Sequence, residues 1–207
     1  MSLQAAQKRR LQIRSEARRA ILDATEALLV EEGYDRFTMR RLAGRCGYTA
    51  PTIYHYFGDK RGLIDALVEE RFGKLFKRLR RVPKGEDPVG NLRELARAFV
   101  RFGVRNPTHY RLLHAPRPAR SSPAPSGEAT RALFEGAFRE LARVGRLRTD
   151  DVEAATQACW ATLHGLISLR TSRPDYPWSP HLLDVAMETL VRGLIRKPEA
   201  AQRRARA

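Results

Sequence analysis

Residues Thr38 to Lys60, TMRRLAGRCGYTAPTIYHYFGDK, decide the fold of this chain. Thr38 and Thr49 each stand directly before a helical segment and are suitable N-caps. Gly47 lies between the two segments, where a sharp turn favours a residue that tolerates positive φ. Pro51 falls in the first turn of the second segment, where its missing N–H costs little. The stretch therefore predicts two short helices joined by a tight turn.

The second predicted helix carries side chains that suit the major groove of DNA. It has no acidic residue from Tyr48 to Gly58, and its aromatic residues alternate with residues small enough for close approach. Asp59 then begins a third helix, with Lys60 in its first turn. An ammonium there interacts unfavourably with the helix dipole. This mild destabilisation is understandable if the ammonium and the N–H groups of the helix start together hold a phosphate. Helix pairs of this kind are often only packing units, so the pair alone leaves DNA binding open.

From about Arg18 to Leu67 the chain resembles the N-terminal DNA-binding domain of the TetR family of transcriptional regulators. The specific part is an aromatic cluster followed by a lysine and an apolar helix, Ile53-Tyr54-His55-Tyr56-Phe57-Gly58-Asp59-Lys60-Arg61-Gly62-Leu63. The resemblance implies an all-α protein, in which a three-helix helix–turn–helix domain is joined by a long helix to a larger helical domain. It further implies a homodimer, and a small-molecule effector that binds the larger domain and releases DNA.

The resemblance also assigns roles to single positions. The side chains expected to face DNA bases are Arg40, Thr49, Ala50, Pro51 and Thr52. Those expected to contact phosphates are Thr38, Tyr48, Tyr54, His55, Tyr56 and Lys60. Arg40 suits a guanine edge, which an arginine can contact with two hydrogen bonds. Tyr48 departs from the family, which often has a small aliphatic residue there, and His55 is equally suited to packing.

Composition agrees with a nucleic-acid partner. The 207 residues include 39 Lys and Arg against 23 Asp and Glu, a net charge of +16, and charge of this sign favours nucleic acid or an anionic surface. A nonspecific or architectural DNA-binding protein would need only this charge, so it remains an alternative. We expect a cytoplasmic protein, because no apolar stretch follows the basic N-terminus and no uncharged run is long enough to span a membrane.

The sequence offers no recognisable catalytic or metal-binding pattern. The two cysteines, Cys46 and Cys159, have no metal-ligand spacing, and no HExxH, GxSxG or glycine-rich phosphate loop occurs. We therefore expect no metal, no cofactor and no enzymatic activity, although a helical ligand carrier or enzyme stays as a less favoured alternative. A redox role for either cysteine is left open.

Composition and periodicity divide the chain into four segments. They are a basic, flexible N-terminal arm over 1–16, a helix–turn–helix domain over 17–62, an effector-binding and dimerisation domain over 63–197, and a basic tail over 198–207. The arm is either a solvated tail or an extension that contacts DNA phosphates or the minor groove. Residues 116–127 contain four prolines and three serines and are predicted to form a loop.

Two late helices carry apolar stripes that suit a dimer interface between copies of the chain. The interface candidates are Val152, Thr156, Leu163, Ile167, Leu183, Met187, Leu190 and Leu194. Their length and late position favour the interface, and the alternative is that both stripes belong to the core of a single chain. Trp160, His164 and Gly165 resemble the Trp–His–Gly signature of one variety of TetR C-terminal domain.

An effector pocket is expected among the central helices, and a mostly apolar compound is the default ligand. Its candidate residues are Phe99, Phe102, Tyr110, Phe134, Phe138, Trp160 and His164, although aromatic residues at helical spacing are usually core. Together these features predict a sequence-specific DNA-binding regulator. Its expected form is a repressor that a small molecule releases from an inverted-repeat operator.

Overall fold

The structure, a computed structural model, describes residues 3–114 and 124–197. Helices are its only regular elements in those ranges, so the predicted all-α fold is confirmed. In chain order they are α1 (Leu3–Arg36), α2 (Met39–Cys46), α3 (Ala50–Phe57), α4 (Lys60–Leu79), α5 (Pro88–Arg105), α6 (Pro107–His114), α7 (Pro125–Arg143), α8 (Val152–Ser172) and α9 (Leu182–Leu194).

The chain divides into two compact units, and the division differs from the predicted one. The first unit comprises the residues up to Phe72 together with 108–124, and the second comprises 73–107 and the residues from Pro125 onward. We predicted a boundary after residue 62, but it falls inside α4, and most of α6 belongs to the first unit. One cause is a polar contact across 83 positions of sequence, in which Nε2 of His109 lies 3.4 Å from a carboxylate oxygen of Glu26.

The segment predicted to be a flexible arm, residues 1–16, is helical from Leu3 onward and forms the first half of α1. Residues 3–16 contain neither glycine nor proline and consist mainly of strong helix formers. The side chains from Gln4 to Glu16 are all exposed, so local propensity rather than packing accounts for this extension. The helix breaks at Gly33, where φ is 79° and ψ is 173°.

Two further predicted segments lie partly or wholly outside the described residues. The basic tail over 198–207 is one of them. Most of the predicted loop over 116–127 is the other, although its last residues, 125–127, already belong to α7.

A buried arginine connects three carboxylates in the first unit. Arg71 on α4 is 1% exposed and donates to Glu26 (2.9 Å), Glu70 (2.8 Å) and Asp23 (2.6 Å). Burial alone would raise the pKa of Glu26, but hydrogen bonding by His109 and the charge of Arg71 outweigh it and hold that pKa below its usual value. The cluster ties α1 to α4 within an otherwise apolar core that includes Ile21.

Apolar and aromatic packing builds the second unit. Helices α5, α7 and α8 pack against one another, and α9 packs on α8 and α5. Phe134, Phe138, Leu141 and Leu163 are at most 1% exposed. α5 and α8 approach closely at Gly103, where a Cβ atom would come within 2.6 Å of Ile167.

Candidate nucleic-acid interface

The first helix of the pair, α2, begins and ends as its sequence predicts. The Thr38 side chain accepts a hydrogen bond from the backbone N–H of Arg41, so Thr38 is the N-cap. Gly47 adopts a left-handed conformation with φ 72° and ψ 12°, and its N–H donates to the carbonyl of Ala43 at 3.2 Å. Local hydrogen bonds thus satisfy a backbone N–H at the start of α2 and a carbonyl near its end, and the predicted caps are confirmed.

The recognition helix α3 begins with a pair of threonine side chains. Thr49 caps the helix by accepting from the N–H of Thr52 at 3.3 Å, and the two hydroxyl oxygens lie 2.8 Å apart. One hydroxyl donates to the other, so one O–H group of the pair remains available to a further acceptor. Ile53 is fully buried and anchors the helix to the core, while Pro51 and Tyr54 are exposed.

A glycine that the sequence analysis missed sets the turn from α3 into α4. Asp59 accepts from the N–H of Gly62 at 2.7 Å and so caps α4. A Cβ atom on Gly62 would lie 2.2 Å from the carbonyl oxygen of Phe57, which is backbone and cannot move aside cheaply. Only glycine fits here without a shift of the chain. The one available sequence signal was its position three residues after the capping aspartate.

Most of the predicted DNA-contacting side chains lie on accessible surface. Those classed as exposed are Thr38, Arg40, Thr49, Pro51, Tyr54 and His55, and those classed as half-buried are Tyr48, Ala50, Thr52, Tyr56 and Lys60. The structure therefore leaves the start of α3 and its flank open to a large partner. Their contacts with bases or phosphates remain predictions.

The three arginines of α2 differ in whether a carboxylate already engages them. Arg41 contacts Glu32 at 2.6 Å, and Arg45 contacts Glu31 at 2.6 Å, both across to α1. Hydrogen bonding by Arg45 holds the pKa of Glu31 below its usual value. Among the described residues, Arg40 has no such partner. It is the cation of α2 that is free to bind an external acceptor.

Lys60, a predicted phosphate contact, is half-buried and binds backbone carbonyls of its own chain. Its ammonium donates to the carbonyls of Tyr34 (3.1 Å) and Phe37 (2.8 Å), and it lies 4.2 Å from the centroid of the Tyr34 ring. These carbonyls follow the break in α1, where acceptors lack helical partners and a cation is favourable. The ammonium therefore fastens the end of α1 and keeps one of its three donors, so a phosphate contact by Lys60 stays a prediction.

The basic first half of α1 lies beside the far end of α3. The Arg14 guanidinium is 5.9 Å from the centroid of the Tyr56 ring, and that of Arg18 is 5.6 Å from the centroid of Phe57. Arg18 also contacts Glu70 at 3.3 Å. These arginines extend the positive surface beyond the helix pair.

Comparison with known proteins agrees with this geometry. Residues 21–67 match the model of bacterial regulatory proteins of the tetR family, and residues 92–194 match a tetracyclin repressor-like C-terminal domain. The chain belongs to the TetR family. It is a DNA-binding transcriptional regulator, and the expectation that it is not an enzyme follows from the family.

Individual relatives span most of the chain. The HTH-type transcriptional repressor Rv1474c of Mycobacterium tuberculosis is 29% identical over 180 residues, which cover 84% of this chain and 93% of that protein. A TetR family regulator from Marinobacter aquaeolei has the same fold, with a TM-score of 0.75 and 16% identity over 90% of this chain and 99% of that one. SmeT, the repressor of a Stenotrophomonas maltophilia multidrug efflux pump, gives a TM-score of 0.67 with 23% identity over 87% and 91% of the two chains. None of these matches tests the Trp–His–Gly variety, which stays a prediction.

Four of the predicted effector-pocket residues of this TetR-family regulator, Phe99, Phe134, Trp160 and His164, pack against one another in the second unit. Trp160 is half-buried and also lines a cavity of about 230 Å³, so a ligand at this cluster stays a prediction. Phe99 lies 5.6 Å from Phe134, 5.6 Å from Trp160 and 5.3 Å from His164, measured between ring centroids. Phe134 and Phe138 are at most 1% exposed, so their rings fill space rather than border it.

Two other pocket candidates stand apart from this cluster. Tyr110 is a buried residue of the first unit, and burial raises its pKa to about 12. Phe102 is half-buried on α5.

The predicted dimer stripes divide into buried and half-buried residues. Thr156, Leu163, Ile167 and Met187 are at most 5% exposed within a single chain, so they pack in its core. Val152, Leu183, Leu190 and Leu194 are half-buried and stay candidates. The exposed apolar residues of these helices lie instead on the outward faces, with Leu169 47% and Val185 61% exposed.

The two cysteines differ in burial, and neither belongs to a metal-binding cluster among the described residues. Cys159 is buried, and burial raises the pKa of its thiol to about 12, which disfavours the reactive thiolate. The Cys46 sulfur lies 4.0 Å from the carbonyl of Ala43. In the described ranges, no group of His, Cys, Asp and Glu suits a metal ion, and no helix there is long and apolar enough to cross a membrane.

Proposed function

We propose that this regulator is a homodimeric repressor that binds an inverted-repeat operator and is released by a small molecule. One observation carries the DNA-binding part of the proposal: Arg40, which has no carboxylate partner among the described residues, lies on α2 beside the exposed, acid-free start of α3. The M. tuberculosis relative, named as a transcriptional repressor, supports repression rather than activation. Such a protein would act in the cytoplasm, where bacterial DNA lies.

On DNA, the start of α3 enters the major groove. Arg40 pairs with a guanine edge, the free hydroxyl of the Thr49–Thr52 pair meets a base acceptor, and Ala50 and Pro51 pack on thymine methyl groups. Thr38, Tyr48, Tyr54, His55 and Tyr56 contact phosphates around the groove and set its register. The exposed cations of the α1 extension, Lys8, Arg9, Arg10 and Arg14, add sequence-independent attraction.

Dimerisation uses the outward face of α8 together with that of α9. Ala154, Ala158, Ala161 and Ser168 recur on α8 at helical spacing, are exposed, and are small enough to let a second helix approach closely. Leu169 and Val185 supply exposed apolar area on α8 and α9. A two-fold axis here would give two recognition helices, and the two half-sites would then lie about 34–36 Å apart or at a multiple of one DNA turn.

Selection of DNA fragments from a random pool by the purified protein tests the proposal. We expect one enriched inverted repeat, and an affinity for it roughly a thousandfold or more above that for random DNA. Enrichment without any common sequence would instead establish the nonspecific, architectural alternative, which the unpaired cations of the α1 extension favour.

Arg40→Ala then tests the docking. The variant should lose about 1–3 kcal/mol of discrimination at a single base pair of each half-site, while the other positions keep their preferences. Arg36→Ala removes the same charge from an exposed position at the end of α1 and should leave the selected sequence unchanged. If Arg40→Ala selects the wild-type sequence with wild-type stringency, the docking is wrong.

A further inference from the structure

The second unit contains a cavity of about 590 Å³ that no predicted pocket residue lines. Its walls come from the end of α4, the segment before α5, α5 itself and α7. Sites for small molecules commonly occupy about 300–1,000 Å³, so the volume suits a compact organic ligand. The aromatic cluster around Phe99 and Trp160 is a separate feature of the same unit.

Most of the cavity wall is apolar, with a cationic rim. Leu79, Leu95 and Leu133 are among the residues that line it. Arg80 and Lys84 also line it, both are exposed, and neither contacts a carboxylate among the described residues.

The one carboxylate of the lining is already engaged. Glu140 lies 2.6 Å from Arg143, and hydrogen bonding by Arg143 holds the pKa of Glu140 below its usual value. The rim therefore keeps unbalanced positive charge beside apolar surface.

The rim is also held in place before any ligand arrives. The Asn91 side chain accepts from the N–H of Gly85 at 2.7 Å and donates to its carbonyl at 2.9 Å, which fixes the segment that carries Lys84. Asp87 caps α5 through the N–H groups of Val89 and Gly90, so the same segment is anchored at its other end. A preorganised rim loses little conformational entropy when a ligand binds.

We infer that this cavity is the effector site and that it binds an amphipathic anion, a compact apolar body with one carboxylate, sulfonate or phosphate group. The inference rests on the proposed function, since it names the class of molecule that would release the repressor. The apolar body would lie against the leucines, where burial of apolar surface stabilises it. The anionic group would lie at the rim beside Arg80 and Lys84, where ion pairing replaces part of its hydration.

Two fluorescent probes that differ by one charged group test the inference. Anilinonaphthalene sulfonate is the anionic probe, and phenylnaphthylamine is the same ring system without the sulfonate. Wild-type protein should bind the anionic probe at one site per chain, about tenfold more tightly than the neutral probe, as one favourable ion pair of about 1.4 kcal/mol would give. The double substitution Arg80→Gln with Lys84→Gln should abolish that preference and leave the neutral probe unaffected.

Filling the cavity separates this site from any other apolar surface. A Cβ atom on Gly136, which lines the cavity, would meet no atom within 4 Å, so Gly136→Leu can occupy the space without a clash at Cβ. It should weaken both probes by at least about tenfold. Ala142→Leu adds a similar side chain at an exposed position of the same helix outside the cavity, and should weaken neither. Thermal unfolding followed by circular dichroism establishes that each variant is folded.

The outcomes distinguish this inference from the proposed function. If Gly136→Leu leaves probe binding unchanged, the probe binds elsewhere. If the double variant of Arg80 and Lys84 still prefers the anionic probe, the role of the rim is refuted. The anionic probe should also dissociate the operator complex of the wild type, but not that of Gly136→Leu. If the wild type holds its operator at saturating probe, the cavity is not the effector site, while repression itself stands. If no operator is selected at all, the proposed function fails and the binding measurements still decide what the cavity binds.

Discussion

The two units of this regulator hold their helices together by different means. The first unit adds specific polar contacts to its apolar core, namely the Arg71 cluster, the threonine caps and the Lys60 ammonium. The second relies on aromatic and aliphatic packing around Phe134. Polar contacts fix direction as well as distance, so they suit a unit that must present a helix in one orientation. Apolar packing specifies shape less strictly and allows a cavity beside it.

Arg71→Ala should cause the largest loss in the first unit. The substitution leaves the buried carboxylate of Glu26 without its arginine partner and removes one of the two arginines that contact Asp23 and Glu70; breaking a buried ion pair in this way costs about 3–5 kcal/mol. Urea denaturation followed by circular dichroism measures the change. Arg19→Ala is the matched control, because Arg19 is 75% exposed and contacts the same Asp23 at 3.9 Å, so it should change stability by less than about 0.5 kcal/mol. Equal losses for the two variants would show that the cluster is not a buried network.

Phe134→Ala should cost a similar amount in the second unit, about 3–5 kcal/mol for a fully buried phenylalanine. Both tryptophans, Trp160 and Trp178, belong to this unit, so their fluorescence in urea reports its unfolding. Val144→Ala, at a position 40% exposed, is the control and should change the free energy of unfolding by less than about 0.5 kcal/mol. A fluorescence transition unmoved by Phe134→Ala would show that the aromatic cluster does not stabilise this unit.

Gly62→Ala should have a smaller effect that is confined to the α3–α4 turn. The new Cβ would lie 2.2 Å from the Phe57 carbonyl oxygen, and relieving such crowding costs about 1–3 kcal/mol. Gly44→Ala is the matched control, because its added Cβ meets no atom within 4 Å and replaces a glycine inside α2, which should stabilise by about 0.5–1 kcal/mol. Both are measured by thermal unfolding and by operator affinity. A Gly62→Ala protein with wild-type stability would mean that the turn adjusts freely.

Lys60→Met should have the smallest effect and decides between the two roles of Lys60. Methionine keeps an apolar stem but removes the donors to the carbonyls of Tyr34 and Phe37, so we expect a loss of about 1 kcal/mol in stability. The slope of operator affinity against salt should stay at the wild-type value. A slope reduced by about one unit, with unchanged stability, would restore the phosphate contact that the sequence suggested.

Locally determined features could be predicted from the sequence, and features that depend on distant partners could not. The caps at Thr38, Gly47 and Thr49 involve neighbours within four residues, and all three are confirmed. The acceptors of Lys60 lie 26 and 23 positions away, so its pattern, a cation in a first turn, suggested a phosphate instead. Only the folded chain supplies such partners.

The apolar stripes of α8 and α9 show the same limit. Periodicity located the apolar face correctly but could not say whether the chain or a second copy covers it. Leu163 and Ile167 are fully buried within one chain, so it is the chain itself that covers them. Aromatic residues were likewise ambiguous, because a ring that lines a pocket and a ring that fills a core have the same spacing. The cavity that the structure contains is bordered mainly by leucine, alanine and charged residues, which carry no distinctive pattern.

The membership of α6 in the first unit has a consequence for how this protein can be cut and recombined. The unit that binds DNA is discontinuous, since residues 108–114 return to it after α5 has been completed elsewhere. A fragment ending at Phe72 would lack Tyr110, Leu112 and Leu113, all buried, and would leave Glu26 without His109. Exchange of operator specificity between relatives by a single crossover would therefore separate most of α6 from the other helices of its unit. Hybrids that carry both segments from one parent should be the ones that fold.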